Sequence, residues 1–316
     1  MKIYLSNLNE SWIVDRLRNE WIESNKELVV KNPKDCEIIW IISPWTWKKI
    51  NKKYLRKKFV VCTIHHLEDS DFTEKGKKEF YKRDKFVNVY HTISENSLMQ
   101  LRKLTNKKIV KIPFWVNENI FYEIKDKNKL REKYGFSKKE FLLGSFQRDT
   151  EGRDLISPKL IKGPDRFVEI AKKIRNSQKD LLIILAGKRR EYVISQLEEL
   201  NINYRYFEMV NLDQLNELYN CLDLYIVSSR IEGGPQAIVE CAITKTNVIS
   251  TDVGIAKEIL HEESIFNMTN YELAIPNTNE AYKNIQKLTR EKGQTAFNEF
   301  FKLLYENNIL KSTQNF

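Results

Sequence analysis

Long apolar runs are missing from this 316-residue chain. No stretch of about 18 apolar residues occurs, which excludes a membrane-spanning helix on the usual length criterion. The start, with Lys2, leads into a strand pattern and offers no apolar core of a signal peptide, so a cytoplasmic protein is expected. Cysteine is scarce: Cys36, Cys62, Cys221 and Cys241 lie far apart, with no C-x-x-C pair. That excludes a disulfide framework or a zinc ribbon and leaves free thiols in a reducing compartment. A motif that reads nucleic-acid bases is also absent, so nucleic acid is not expected as a partner.

Acidic residues are short in one half only. Residues 1–117 carry 24 of the 53 Lys+Arg and 14 of the 43 Asp+Glu, leaving 29 of each for residues 118–316. The net charge of +10 therefore belongs to the first half, which points to an anionic partner there. Its densest stretch, residues 46–58, contains Lys48, Lys49, Lys52, Lys53, Arg56, Lys57 and Lys58 and no acid. Trp47, Ile50 and Tyr54 fall on one face if this stretch is a helix, with Trp45 just before it. A basic amphipathic helix of this kind suits an anionic membrane surface. It equally suits a solvated helix whose apolar stripe is core.

A length of 316 residues with 41% hydrophobic content exceeds one core of about 100–200 residues, so two domains are expected. Strand-like runs fall at 2–6, 28–31, 37–42, 59–65, 87–92 and 108–112, then at 141–144, 181–186, 204–207, 222–227 and 248–250. Helical patterns alternate with them, notably at 12–25, 95–104, 164–176, 191–200, 212–220 and 235–243. Asn211 and Gln214 are placed to cap the 212–220 helix. Ser137 and Glu140 have capping-box spacing, but a strand follows at once and no helix is expected. Such alternation predicts an α/β protein of two Rossmann-like lobes facing a cleft, with ligands at the carboxyl ends of the strands. The expected division is an N-terminal lobe over 1–117, a connector over 118–140, a C-terminal lobe over 141–294, and a helix over 295–316 crossing back to the first lobe.

One stretch carries most of the chemistry. A strand over 222–227 runs through a polar turn into Gly233-Gly234-Pro235, with Pro235 at the first helical position, where its missing N–H costs nothing. The free amides of that first turn and the small glycines make an anion site. Glu232 and Glu240 flank it with seven residues between them. A carboxylate beside a phosphate site binds hydroxyls, so the pair implies a ligand with both a diphosphate and hydroxylated rings, as in a nucleotide sugar.

Glu232-Gly-Gly-Pro with Glu240 resembles the E-x7-E signature of retaining glycosyltransferases of the GT-B fold, family 4 type. The segment Asn247-Val-Ile-Ser-Thr-Asp-Val-Gly254 with Glu258 resembles that family's next motif. Lys245, Asn247, Ile255 and Lys257 depart from it, standing where the family has Gly, Pro, Gly and Pro. The likeness spans residues 140–260. It implies that Glu240 accepts from the ribose, that Glu232 touches the transferred sugar, and that the amides of Gly233 and Gly234 serve the same region. Ser145-Phe-Gln-Arg148 and Lys162-Gly-Pro resemble the family's G-R-L and K-G pair, implying that Arg148 and Lys162 hold the diphosphate. Fixed cations there stabilise the charge of the departing group. The interval between them is long and contains the competing Arg153 and Lys159.

In the first half, Thr63-Ile-His65-His66 resembles the family's T-x-H-D segment, implying that His65 meets the donor sugar. A histidine at a strand end is also a common structural hydrogen-bonder. Ser94 either joins the site or caps the next helix. Asp69-Ser-Asp71 has the D-x-D form by which the other large glycosyltransferase fold binds metal; two nucleotide-fold lobes argue against that fold, so catalysis without metal or other cofactor is expected. The expected activity is transfer from a UDP- or GDP-sugar to a hydroxyl of a surface glycan, lipopolysaccharide or lipid-linked acceptor, with attachment to the inner face of the plasma membrane if the basic stretch touches lipid. A sugar-nucleotide epimerase of the same fold and a nucleic-acid-binding or nucleic-acid-glycosylating protein are the alternatives. Free epimerised nucleotide sugar would favour the first, and steeply salt-dependent DNA binding the second.

Overall fold

The computed structural model describes residues 1–7, 13–152 and 154–313, with side chains to residue 307. Trp12 at the start of the first expected helix, Arg153 and the last three residues of the expected 295–316 helix lie outside the described residues. The chain divides into two compact units, one of residues 1–115 with 290–316 and one of residues 116–289. Both are parallel α/β sheets.

The first unit contains β1 (Ile3–Leu5), α1 (Ile13–Ser24), β2 (Ile38–Ile41), α2 (Lys52–Lys57), β3 (Phe59–Ile64), α3 (Glu74–Asp84), β4 (Val89–Thr92), α4 (Glu95–Leu101) and β5 (Lys108–Lys111). The strands lie in the order β1-β2-β3-β4-β5 and all pair parallel. The expected strand at 28–31 is reduced to one bridge, Val29 to Ile3, on the free edge of β1. Alternation within β2 shows why the sheet needs cover on both faces. Ile38 and Trp40 enter one core, Ile39 and Ile41 the other, because successive side chains of a strand point oppositely.

The second unit holds α5 (Lys127–Lys133), β6 (Phe141–Ser145), α6 (Pro164–Ser177), β7 (Leu181–Ala186), α7 (Glu191–Glu199), β8 (Tyr204–Phe207), α8 (Leu212–Cys221), β9 (Leu224–Val227), α9 (Gln236–Thr244), β10 (Val248–Thr251), α10 (Ala256–Ile259), β11 (Ile265–Phe266) and α11 (Thr278–Ile285). Its order is β11-β10-β9-β6-β7-β8, so the winding reverses between β6 and β9. All six residues of β7, Leu-Leu-Ile-Ile-Leu-Ala, are buried, as a central parallel strand requires. Residues 118–140, expected as a connector, pack into this unit: Phe121, Leu130 and Phe136 share a core with Leu142, Leu218 and Leu222. Asn211 and Gln214 form the expected capping box on α8. Ser137 and Glu140 close a turn through the Ser137 amide, 2.7 Å from Glu140 Oε2, without starting a helix.

The chain then returns to the first unit in α12 (Arg290–Thr313). Phe297 and Phe301 are fully buried against Trp40, at ring separations of 5.3 and 5.0 Å, and Trp21 packs edge-on to Trp40 at 5.4 Å. The aromatic content of α12 is thus what closes one face of the first sheet.

The basic stretch 46–58 is not one helix. A 3-10 turn over Pro44–Lys49 ends at Ile50, and Asn51 then caps α2 by accepting from the Lys53 amide at 2.9 Å. Trp47, Ile50 and Leu55 are buried in the core with Tyr54 packed beside them, so the apolar stripe belongs to the fold. Lys48, Lys49, Lys52, Lys53 and Arg56 remain exposed. All four cysteines are free and buried.

Candidate active site

The strand order reverses between β6 and β9, and at such a switch point open α/β sheets form a ligand crevice outside the carboxyl ends of the strands. Two loops enter it. The first, after β6, ends in Leu160-Ile-Lys162-Gly163; the second, after β9, runs from Ser228 to Pro235. They are stitched together by backbone hydrogen bonds from the Arg230 and Ile231 amides to the Ile161 carbonyl, at 2.8 and 3.1 Å. Arg230 adds a bidentate pair to Asp165 at 2.7 and 2.6 Å.

Gly163 makes this approach possible. Its φ of +64° is left-handed, and a Cβ there would lie 1.9 Å from the Ser228 carbonyl oxygen. Gly254 plays the same part after β10: at φ +53°, its Cβ would lie 2.3 Å from the Gly233 oxygen. Glycine thus brings three loops within contact of one another.

At their meeting point Lys162 Nζ donates to Glu232 Oε1. Both side chains are largely withdrawn from water, 16% and 10% exposed. Ser229 Oγ lies 3.2 Å from the same Glu232 oxygen and 3.2 Å from Gln147 Oε1. Gln147 Nε2 in turn donates to the Lys162 carbonyl at 2.8 Å, and Ser228 Oγ to the Gly163 carbonyl at 2.8 Å. Thr251 Oγ1 fastens the Ser229 carbonyl from β10 at 2.6 Å. The result is a cation and a carboxylate held at the mouth of the sheet by neutral hydrogen-bonders.

Glu240 lies further along α9 and is 4% exposed. Its Oε2 accepts from the Tyr219 hydroxyl at 2.8 Å. Burial and the carboxylate hold the Tyr219 phenol well above its usual pKa, so it stays protonated as the donor. Tyr219 also packs on Phe146 and Tyr225, at 4.9 and 5.5 Å, and the Tyr225 hydroxyl accepts from the Phe146 amide at 2.9 Å. An aromatic cluster therefore ties the start of the first loop to Glu240. Pro235 stands one residue before α9, as its N-cap with extended backbone, not at the first helical position.

Arg148 does not join this cluster. It is exposed, and its Nε donates to the Thr150 carbonyl at 2.7 Å, just before the Thr150–Pro158 bridge. The buried arginine nearby is Arg190, fully inaccessible, with Nε 3.2 Å from Asp149 Oδ2 and NH2 3.1 Å from Ser145 Oγ. Burial raises Asp149 to about 6 even with Arg190 beside it.

His65 in the first unit has a defined tautomer. Its Nε2 lies 2.9 Å from the Ile42 carbonyl, which can only accept, so Nε2 carries the proton and Nδ1 keeps its lone pair. The ring stacks on Phe114 at 5.8 Å, and burial lowers its pKa to about 4. His91 is fixed likewise. Trp40 Nε1 donates to Thr63 Oγ1 at 2.9 Å, the Thr63 hydroxyl donates to His91 Nδ1 at 2.9 Å, and His91 Nε2 donates to the Ile112 carbonyl at 2.8 Å. Burial pushes His91 down to about 3. Ser94 is the N-cap of α4, and Ser97 Oγ beside it donates to the His65 carbonyl at 2.8 Å. Asp71 of the D-x-D is engaged by the Glu68 amide at 2.9 Å in a capping box. Among the described residues no group of three His, Cys, Asp or Glu side chains could hold a metal ion, and no helix is long and apolar enough to cross a membrane.

Lys162 and Glu232 thus come together, with Gly163 and Gly254 at the close approaches beside them. Gln147, Ser229 and Tyr219 were missed. The adjacent hydroxyls Ser228-Ser229 at a strand end were a visible signal; Tyr219, on another helix, left none.

The family model described as glycosyl transferases group 1 matches residues 126–298. No curated protein matches the chain in sequence. Among solved structures, HepE of Anabaena in complex with UDP and glucose aligns with a TM-score of 0.74 at 12% identity, over 96% of this chain and 99% of that one. Sucrose-phosphate synthase of Thermosynechococcus elongatus gives 0.69 at 14%, over 95% and 81%. A glycosyltransferase of Rickettsia africae gives 0.66 at 18%, over 95% and 84%. These three share the two-unit GT-B fold with this chain.

Proposed function

We propose, from the premise that this chain belongs to the glycosyl transferases group 1 family, that it moves a sugar from a UDP- or GDP-sugar to a hydroxyl of a cell-surface glycan or lipid-linked saccharide, with retention and without a metal ion. The observation that carries this reading is the contact of Lys162 with Glu232 at the switch point of the second unit. A phosphate-seeking cation and a hydroxyl-seeking carboxylate side by side match a ligand in which a diphosphate is joined directly to a sugar.

Lys162 and the Gly233 and Gly234 amides hold the diphosphate and stabilise the charge it gains on leaving. The resemblance makes Arg148 the second phosphate ligand, a role that requires its side chain to leave the Thr150 carbonyl. Glu232 accepts from the sugar hydroxyls, and Glu240, oriented by Tyr219, accepts from the ribose. His65, in the first unit, keeps a neutral Nδ1 able to accept from a hydroxyl, the role that the T-x-H-D resemblance implies. The bond from the anomeric carbon to the diphosphate breaks while one to the acceptor oxygen forms on the same face, and the acceptor proton passes to the leaving phosphate oxygen. Retention and the family 4 type rest on the E-x7-E resemblance, and the metal-free route on the two nucleotide-fold lobes, which argue against the fold that binds metal through D-x-D. Lys48, Lys49, Lys52, Lys53 and Arg56 attract an anionic membrane surface by charge alone, since their apolar neighbours are core.

HepE was solved with UDP and glucose, which makes UDP-sugars the first donors to test. In a thermal-shift screen of UDP- and GDP-sugars, one donor at 100 times its Kd stabilises the protein by about 2.7 kcal/mol. Glu240→Ala abolishes that shift and keeps the fold by circular dichroism. A shift unchanged in this variant removes Glu240 from the site, and no shift with any donor overturns the reading.

A further inference from the structure

We infer that the Lys162–Glu232 pair makes the site discriminate against a nucleoside diphosphate that carries no sugar. The inference rests on the donor site proposed above and adds a specificity role for one contact within it.

Without ligand, each charge satisfies the other. Lys162 Nζ sits on Glu232 Oε1, Ser229 Oγ shares that oxygen at 3.2 Å, and little of either charged side chain reaches water. A diphosphate that recruits Lys162 takes the ammonium from the carboxylate. Glu232 is then a withdrawn anion with one hydroxyl donor, and a half-buried charge deprived of its partner is strongly unfavourable. An intact nucleotide sugar replaces what it removes, because its hydroxyls donate to the carboxylate as its phosphates accept from the lysine. After transfer the hydroxyls depart with the sugar, the pair re-forms, and the spent nucleoside diphosphate is displaced. Lys162 is thus contested between two anions, and only a ligand with hydroxyls beside its phosphates settles the contest.

The test is calorimetry on the full chain with UDP and GDP, then with UDP-glucose and GDP-mannose. Glu232→Gln keeps the shape and a hydrogen bond to Ser229 while releasing Lys162. Bare UDP or GDP is expected to bind this variant about tenfold more tightly than wild type, about 1.4 kcal/mol. The preference for the sugar-bearing ligand over the bare diphosphate falls at the same time. Simple repulsion between Glu232 and the phosphates is separated by a double-mutant cycle. In a Lys162→Met background the tightening disappears if the residues compete for the lysine, and persists if Glu232 merely repels phosphate. Tightening that persists there, or no tightening in Glu232→Gln, overturns the inference and leaves the donor site standing. If none of the four ligands binds wild type or Glu232→Gln, inference and donor site fall together. Because the prediction is a gain of affinity, an unfolded variant cannot imitate it.

Discussion

The two units have one architecture and opposite electrostatic designs. Residues 1–115 with 290–316 hold 28 Lys+Arg against 17 Asp+Glu, a surplus of 11; residues 116–289 hold 25 against 26, a deficit of 1. At the strand ends the contrast inverts. The basic unit keeps its internal ends neutral: His65 and His91 are locked as uncharged tautomers by carbonyls and a threonine. The balanced unit gathers charge there, as Lys162–Glu232 and Arg190–Asp149. Net charge on a surface attracts a partner at long range, whereas opposed charges withdrawn from water recognise a small ligand at contact.

The comparison can be broken from either side. The largest effect is expected in the neutral interior of the basic unit, where Phe301→Ala removes a fully buried ring against Trp40 and Trp21 and costs about 3–5 kcal/mol in chemical denaturation. At temperatures where this variant is folded, the nucleotide-induced shift persists, because the charged site lies in the other unit. Gly163→Ala does the reverse. Its Cβ cannot coexist with the Ser228 carbonyl at φ +64°, so it costs about 2 kcal/mol and removes nucleotide binding measured by calorimetry.

A smaller effect separates the units by pH. His65 and His91 are depressed from 6.5 to about 4 and about 3, so the unfolded chain binds more protons, and their contribution is complete above pH 6.5 and lost as pH falls towards 4. Asp149 is raised from 3.8 to about 6, so its contribution is complete below pH 3.8 and lost as pH rises through 6. Urea titrations between pH 7.5 and 4.5 should therefore show His91→Gln flattening the acid loss of stability and Asp149→Asn steepening it. The smallest effect belongs to the surface: replacing Lys48, Lys49, Lys52, Lys53 and Arg56 by Gln changes stability by about 0.5 kcal/mol or less, yet abolishes sedimentation with anionic vesicles at low salt. Retained sedimentation, or none with the wild type, would overturn the proposed contact of these side chains with a membrane.

How far the sequence was legible varied with the range of the interactions involved. Leu181–Ala186 matches its predicted bounds, since a strand buried on both faces writes an unbroken apolar run. Asn211 and Gln214 were legible because a cap and its partner are three residues apart. The 46–58 pattern left membrane and core both open, because an apolar stripe with basic flanks has the same spacing whether it faces lipid or core, and Asn51 breaks the expected single helix. Two-residue β11 left no periodicity to read.

The sequence by itself determined two parallel α/β sheets, a basic first half, and the presence of a lysine, two glutamates and paired glycines at loop positions, because alternation, charge and glycine placement are properties of neighbouring residues. Only the tertiary structure decided that Lys162 meets Glu232 across 70 residues, that Ser229 meets Gln147 across 82, and that Arg148 turns to the Thr150 carbonyl. The physical reason is that the reversal of strand order between β6 and β9 brings these distant loops to one crevice, and no local pattern encodes which side chains then come within hydrogen-bonding distance.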